Sequence, residues 1–188
     1  MVSYQYRWML LLLASYLFYA SWNPAYLALI IGSTLVDYFC GLRMEQAKTK
    51  KQRFPFLILS LCINLGLLLT FKYLDFFFGS VNSLFASDSP LFNLLLPVGI
   101  SFYTFQTLSY SIDVYKGRLR AERHLGYFAL YVSFFPQLVA GPIERFSSLT
   151  PQFKKDHALS KTNLANGLRL IFLGFSSKWS SQIICLSL

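Results

Sequence analysis

Few side chains in this sequence have the types and spacing that chemistry demands. The two histidines, His124 and His157, lie in polar, basic stretches with no Ser, Cys or carboxylate spaced for a proton relay. They read as solvated interfacial rings, not general bases. Cys40, Cys62 and Cys185 are scattered through apolar stretches without CxxC or Cys/His spacing, so structural thiols are expected and no metal site. Walker, Rossmann, HExxH and GxSxG patterns are absent. Two carboxylates, Asp37 and Asp113, stand near the ends of apolar runs. An ionisable group at mid-membrane costs about 2.5–3.5 kcal/mol and reads as functional by default. Asp37, however, is close enough to Arg43 to lie near a membrane surface, and Asp113 is i, i+3 from Lys116, the spacing of a same-face ion pair. Pairing and anchoring explain both as well as catalysis does.

Neutral polar groups add a second class of candidates. Gln106, Gln137 and the series Ser101, Thr104, Thr107, Ser109 and Ser111 must face other helices or a cavity. Glu144-Arg145, just after Gly141-Pro142, reads as a turn with a local ion pair. The residues expected to line a cavity are Gln106, Asp113, Gln137, Glu144 and Arg145. None of them is assigned a catalytic role.

The elements that must position these groups are membrane helices. Of the 188 residues 55% are apolar and 13% charged, against roughly 45–50% and about 25% in soluble domains. Mean hydropathy is +0.46. That composition excludes a disulfide scaffold, a disordered tail and a coiled coil. The net charge of +9 would favour a nucleic-acid partner in a soluble chain. Here the basic residues cluster between whole apolar runs, so they anchor to anionic membrane lipid and no nucleic acid is expected.

A span needs about 20 apolar residues. Asn23-Pro24 divides the first apolar region into a hairpin, with arms near Tyr6–Trp22 and Ala25–Leu42. Arg43, Lys48, Lys50, Lys51 and Arg53 make the next loop cytoplasmic, which also places the N-terminus in the cytoplasm. Phe54–Phe78 is the third span, Gly79–Pro90 an outer loop without Lys or Arg, and Leu91–Tyr115 the returning span. Lys116, Arg118, Arg120 and Arg123 mark the cytoplasmic side again. Leu125–Ala140 breaks the alternation: it is short, contains Pro136, ends at Gly141-Pro142 and is followed by the basic Arg145, Lys154, Lys155 and Lys161. A re-entrant segment, dipping in and returning to the cytoplasmic face, reconciles two basic loops in succession. Irregular backbone at that depth survives only against protein or a water-filled cavity. Another apolar stretch begins at Leu164. The expectation is an all-α, multi-pass transmembrane protein of the cell (inner) membrane, a single membrane domain over residues 1–188.

Four blocks carry a family resemblance. "ASYLFYASWNPAYLALIIGSTLVDYFCGLRME" (Ala14–Glu45), "LLPVGISFYTFQTLSYSIDVYKG" (Leu95–Gly117), "YVSFFPQLVAGPIERF" (Tyr131–Phe146) and "GLRLIFLGF" (Gly167–Phe175) resemble, in order, the front half of the membrane-bound O-acyltransferase (MBOAT) family. The match is to its bacterial, alginate O-acetylase branch. The resemblance implies part of a ring of helices around a funnel, and O-acetyl transfer toward an extracytoplasmic polysaccharide such as alginate. It further implies a cytoplasmic thioester donor such as acetyl-CoA, no tightly bound cofactor, and a periplasmic or extracellular acetyltransferase as partner. The family's essential histidine sits in a Trp-His motif; no Trp-His pair occurs here, so no catalytic residue is carried over and the chain alone is expected to be inactive.

The tail departs from the family. After Phe175 the family pattern continues roughly KKVVIADNL, whereas this chain reads KWSSQIICL over Lys178–Leu186. Synonymous codons for the observed run, regrouped by one base, encode VVIADNLS. Residues 176–188 are therefore expected to be out of frame. The alternative from a different class is a small membrane transporter or scaffold, complete in itself and without acyltransferase activity.

Overall fold

Asn23 and Pro24 make the first turn. Asn23 Oδ1 accepts the N–H of Ala25 at 2.9 Å, and Pro24, whose missing N–H costs nothing in a first turn, opens the second helix. The result is the expected hairpin of α1 (Arg7–Trp22) and α2 (Pro24–Gln46). The computed structural model describes residues 6–85, 97, 99–155 and 161–186. Among them are six further helices and no strand: α3 (Lys50–Phe85), α4 (Ile100–Tyr115), α5 (Leu125–Ser133), α6 (Phe135–Ala140), α7 (Phe146–Phe153) and α8 (Lys161–Leu186).

Local chemistry sets most of these boundaries. Thr49 Oγ1 accepts from Gln52 N while Gln52 Oε1 accepts from Thr49 N, both at 3.4 Å. This reciprocal capping box satisfies two otherwise orphaned donors and starts α3 at Lys50, ahead of the expected Phe54. The other end of α3 corrects the sequence reading more sharply. Residues 79–85, expected as loop, continue the helix to Phe85. Ser80 bonds back to the Phe76 carbonyl at 2.8 Å, so neither Gly79 nor Ser80 interrupts the ladder. The rest of that expected loop, residues 86–90, and the first part of the expected fourth span, residues 91–96, lie outside the described residues.

Within the described part, α4 starts at Ile100, directly after Gly99. Ile100 N–H reaches the Pro97 carbonyl at 3.2 Å, and Gly99 has φ +75°, where an L side chain is strained. The helix ends in a Schellman motif. Arg118 N–H returns to Asp113 O at 2.9 Å and Gly117 N–H to Val114 O at 3.0 Å.

The apolar run Leu125–Ala140 forms two short helices, α5 and α6, hinged at Phe134 just ahead of Pro136. A loop with Gly141-Pro142 then leads into α7. Among the described residues two helices are long and apolar enough to cross a membrane, Pro24–Gln46 and Lys50–Leu74. At about 1.5 Å per residue, the 16 residues of α1 reach only about 24 Å of a core about 30 Å thick.

The chain divides into a unit ending at Lys154 and a second beginning at Lys155. In the first, α2 packs against α3, α4 and α5, and α1 against α2 and α5. Met44, Phe128, Leu130, Tyr131 and Val132 are its most buried apolar side chains. The second contains α8, whose Leu164, Leu168, Leu170, Ile171, Phe172 and Phe175 are exposed.

A Cβ added at Gly99 would stand 3.0 Å from the Leu138 carbonyl oxygen and 3.1 Å from the Tyr19 hydroxyl. Gly99→Ala is therefore expected to destabilise the unit by at least the ~1–2 kcal/mol of a left-handed L residue, read as a lower thermal midpoint in detergent. Gly32→Ala, with nothing within 4 Å of its added carbon, is expected to leave the midpoint unchanged or raise it.

Candidate functional site

The polar centre of the first unit is Asp37. Its side chain is fully buried, with relative exposure of 0%. Ser60 Oγ–H donates to Asp37 Oδ1 at 2.6 Å, and Asn64 Nδ2–H donates to Oδ1 at 2.8 Å and Oδ2 at 2.9 Å. Ser60 and Asn64 are i, i+4 on α3 and so present their groups from one face. With Ser60 donating to the carboxylate, its lone pair accepts from Ser111 of α4 at 2.9 Å. Thr107, also on α4, places its hydroxyl 3.1 Å from Asn64 Oδ1. Three helices thus meet through one connected network. Among the described residues no Lys, Arg or His lies within ion-pair distance of Asp37.

This corrects the reading of Asp37 as an interfacial anchor for Arg43. The carboxylate faces α3 instead, which removes it from lipid and water alike. It also resolves the Ser/Thr series: Thr104, Thr107 and Ser111 are buried against neighbouring helices, whereas Ser101 and Ser109 are half-buried. Ser60 and Asn64 were not singled out from the sequence. Their signal was available as an i, i+4 polar pair inside an otherwise apolar span.

A second network holds the broken helix pair. Gln106 Nε2–H donates to the Tyr131 carbonyl at 2.8 Å. The Tyr131 hydroxyl reaches the carbonyls of Gln106 at 3.3 Å and Glu144 at 3.2 Å. Gln137 Nε2–H donates to the Pro142 carbonyl at 3.0 Å, closing the 141–145 loop onto α6. From α1, Ser15 Oγ accepts the N–H of Phe135 at 3.4 Å, at the hinge where the helical ladder lapses. Three of the five expected cavity residues, Gln106, Gln137 and Glu144, therefore gather around this loop, Glu144 through its backbone. Arg145 is exposed and flanks α7 as its N-cap. Asp113 forms no hydrogen bond to them among the described residues, and its carbonyl accepts the Schellman bonds. Among the described residues neither Asp113–Lys116 nor Glu144–Arg145 forms an ion pair; the pair present is Lys154–Glu122 at 2.6 Å. Local spacing permitted the first two, but the backbone geometry of the helix ends separates their charges.

His124 has more to do than the sequence implied. Its Nδ1 caps α5 by accepting the Tyr127 N–H at 3.4 Å, and its ring meets Trp8 edge-on at 4.8 Å between centroids. His157 lies outside the described residues. No group of three or more His, Cys, Asp or Glu able to hold a metal occurs among the described residues. The Asp37 network joins three helices through side chains, with the Ser60 hydroxyl and its carboxylate partner both fully buried, and the second network holds backbone in place.

The sequence of this polar-cored unit has clear relatives. Over 180 residues, 93% of this chain, it is 42% identical to a Pseudomonas syringae pv. tomato protein named "Probable alginate O-acetylase AlgI". It is 41% identical over the same share to the Pseudomonas aeruginosa protein of that name. Over 194 residues and 89% of this chain, it is 38% identical to the "Peptidoglycan O-acetyltransferase" of Helicobacter pylori. The chain belongs to the membrane-bound O-acyltransferase family. It spans about a third of the length of these relatives, 34% of the first and 37% of the last. No family model matches the chain, and no solved structure matches it significantly.

The Asp37 network makes a measurable claim about coupling. Interhelical hydrogen bonds in membrane proteins contribute about 0.6 kcal/mol on average and up to about 1.7. A double-mutant cycle of Asp37→Ala with Ser60→Ala is expected to give a coupling in that range in reversible unfolding from mixed micelles. Additive losses would show that the two residues do not interact.

Proposed function

We propose that this chain is the front part of a multi-pass O-acetyltransferase of the inner membrane, acting on an extracytoplasmic polysaccharide such as alginate. The observation that carries the reading is the 38–42% identity, along most of this chain, to proteins named for acetylating alginate and peptidoglycan. Both names specify a glycan, so a sugar hydroxyl is the acceptor this reading favours. The donor is a cytoplasmic thioester, acetyl-CoA. The sugar oxygen adds to the thioester carbonyl, the C–S bond breaks, and the thiol leaves with the proton taken from the hydroxyl. A periplasmic or extracellular acetyltransferase is the partner expected to work beside it on the same polysaccharide. The catalytic histidine of this reading lies in a Trp-His motif outside this chain, so the residues here serve as scaffold.

Orientation follows from charge. The basic clusters Arg43–Arg53 and Lys116–Arg123 favour a cytoplasmic N-terminus. The hinge at Phe134, with Pro136 and the Gly141-Pro142 loop, supports α5 and α6 as a re-entrant pair returning to the cytoplasmic side. Its irregular backbone has the protein partners such a pair requires: Ser15, Gln137 and Tyr131.

Two measurements test this reading. In a Pseudomonas aeruginosa strain lacking its own O-acetylase, a chimera is built in which this chain up to Phe175 replaces the matching segment of that enzyme. It is expected to restore acetyl esters to alginate, and the chain alone is not. A stable, membrane-inserted chimera that restores none would overturn the assignment. For topology, Lys154→Cys is expected to react with a membrane-impermeant maleimide only from the cytoplasmic side. Labelling from the periplasm would exclude the re-entrant pair.

A further inference from the structure

Away from both polar networks, α1, α2 and the start of α5 border an open cavity of about 550 Å³, within the range of roughly 300–1,000 Å³ common for small-ligand sites. Its lining divides by chemistry. Leu12, Gly126 and Ala129 make an apolar wall, Trp8, Tyr16 and Tyr38 add aromatic surface, and the exposed Arg123 and His124 stand at the mouth.

These groups are held in place. The Tyr38 hydroxyl donates to the Arg123 carbonyl, which ties the segment bearing both basic side chains to α2. Trp8 lies against His124 and, at 5.9 Å between centroids, Tyr127. Because His124 Nδ1 accepts the Tyr127 N–H, the neutral ring carries its proton on Nε2, which is left as a donor. Among the described residues Arg123 has no ion-pair partner. Glu122 is engaged by Lys154, and Glu45, which lines a neighbouring cavity with Arg123, is beyond ion-pair distance. The Arg123 guanidinium at the mouth is thus free of an ion pair, while the Glu122 carboxylate beside it is held by Lys154 and by the His124 backbone N–H at 3.2 Å.

The apolar wall does not end at the cavity. Trp8, Leu12 and Tyr16 also line a groove along the outer face of α1 of about 490 Å³, with Met9, Leu10 and Leu13. A planar guanidinium with an imidazole donor beside it suits phosphate oxygens. The slot behind, running into a lipid-facing groove, suits a hydrocarbon chain. We propose that this cavity is a binding site for an anionic phospholipid. Its phosphate sits on Arg123 and His124 Nε2–H, and one acyl chain runs past Trp8 and Leu12 onto α1. Arg118 and Arg120 belong to the same basic connection but do not line the cavity, so they contribute general attraction to anionic lipid and not the site.

The test uses the full chain with Trp8 as its only tryptophan, after Trp22→Phe and Trp179→Phe. It is reconstituted in phosphatidylcholine vesicles holding equal mole fractions of brominated phosphatidylglycerol or brominated phosphatidylcholine. The expected result is several-fold stronger quenching of Trp8 by the anionic lipid. Arg123→Gln abolishes that preference, Arg123→Lys retains part of it, and Arg120→Gln leaves it intact. Equal quenching by the two lipids would overturn the proposal. So would equal loss in Arg120→Gln and Arg123→Gln, which marks a diffuse surface effect. Relief of quenching by inorganic phosphate or by coenzyme A would make it a soluble-anion or acyl-donor site and overturn the lipid assignment. None of these outcomes depends on acetyl transfer, so the result is independent of the chimera.

Discussion

A carboxylate buried between apolar helices is the constraint around which the first unit is organised. Asp37 cannot face hydrocarbon without a large penalty, and no cation among the described residues neutralises it. The remedy is a set of hydroxyl and amide donors from two other helices, Ser60 and Asn64 directly and Ser111 at one remove. Rotating α3 about its axis would withdraw Ser60 and Asn64 together and strand the acid, and sliding it by one turn would leave only one of the two opposite Asp37. The network therefore selects one register of α2, α3 and α4 from the many that apolar packing alone would tolerate. Buried polar groups of this kind add modest stability and define the arrangement of helices.

The pinned helices then support a region that could not support itself. At Phe134 and again over residues 141–145 the backbone leaves helical geometry, and its N–H and C=O groups need partners. They find them in side chains of the surrounding elements. Ser15 of α1 takes the Phe135 N–H, Gln137 reaches the Pro142 carbonyl, and Tyr131, itself gripped by Gln106, reaches Glu144. Aromatic packing closes the back of this region, where Phe146 lies 4.9 Å from Tyr131 and 5.1 Å from Tyr110 between ring centroids. The blocks Leu95–Gly117 and Tyr131–Phe146, which carry the resemblance to the acyltransferases, thus coincide with the two halves of this support.

Much of this organisation was visible in the residues alone, for a definite reason. The hairpin at Asn23-Pro24 and the break at Pro136 each depend on one or two residues whose backbone preferences act locally, whatever the rest of the chain does. Composition and the spacing of basic clusters similarly settle the membrane character, since burial of whole apolar runs does not depend on which helix meets which. Where local signals were weak the boundaries moved. Gly79 looked like the start of a loop, yet α3 passes through it because no proline or capping group stops the ladder.

The environments of the polar side chains were settled only by tertiary packing. Asp37 is bound to partners 23 and 27 positions away, and through Ser60 to Ser111 at a separation of 51; no window of sequence contains that arrangement. The same holds for Gln106 with Tyr131 and for Trp8 with His124, which meet because α1 and α4 pack against α5. Conversely, Asp113 and Lys116 were close enough in sequence to pair and do not. Local preference decides where a helix begins and bends. Which face of it is buried, and which polar group stands opposite, is decided by the free energy of closing the whole assembly.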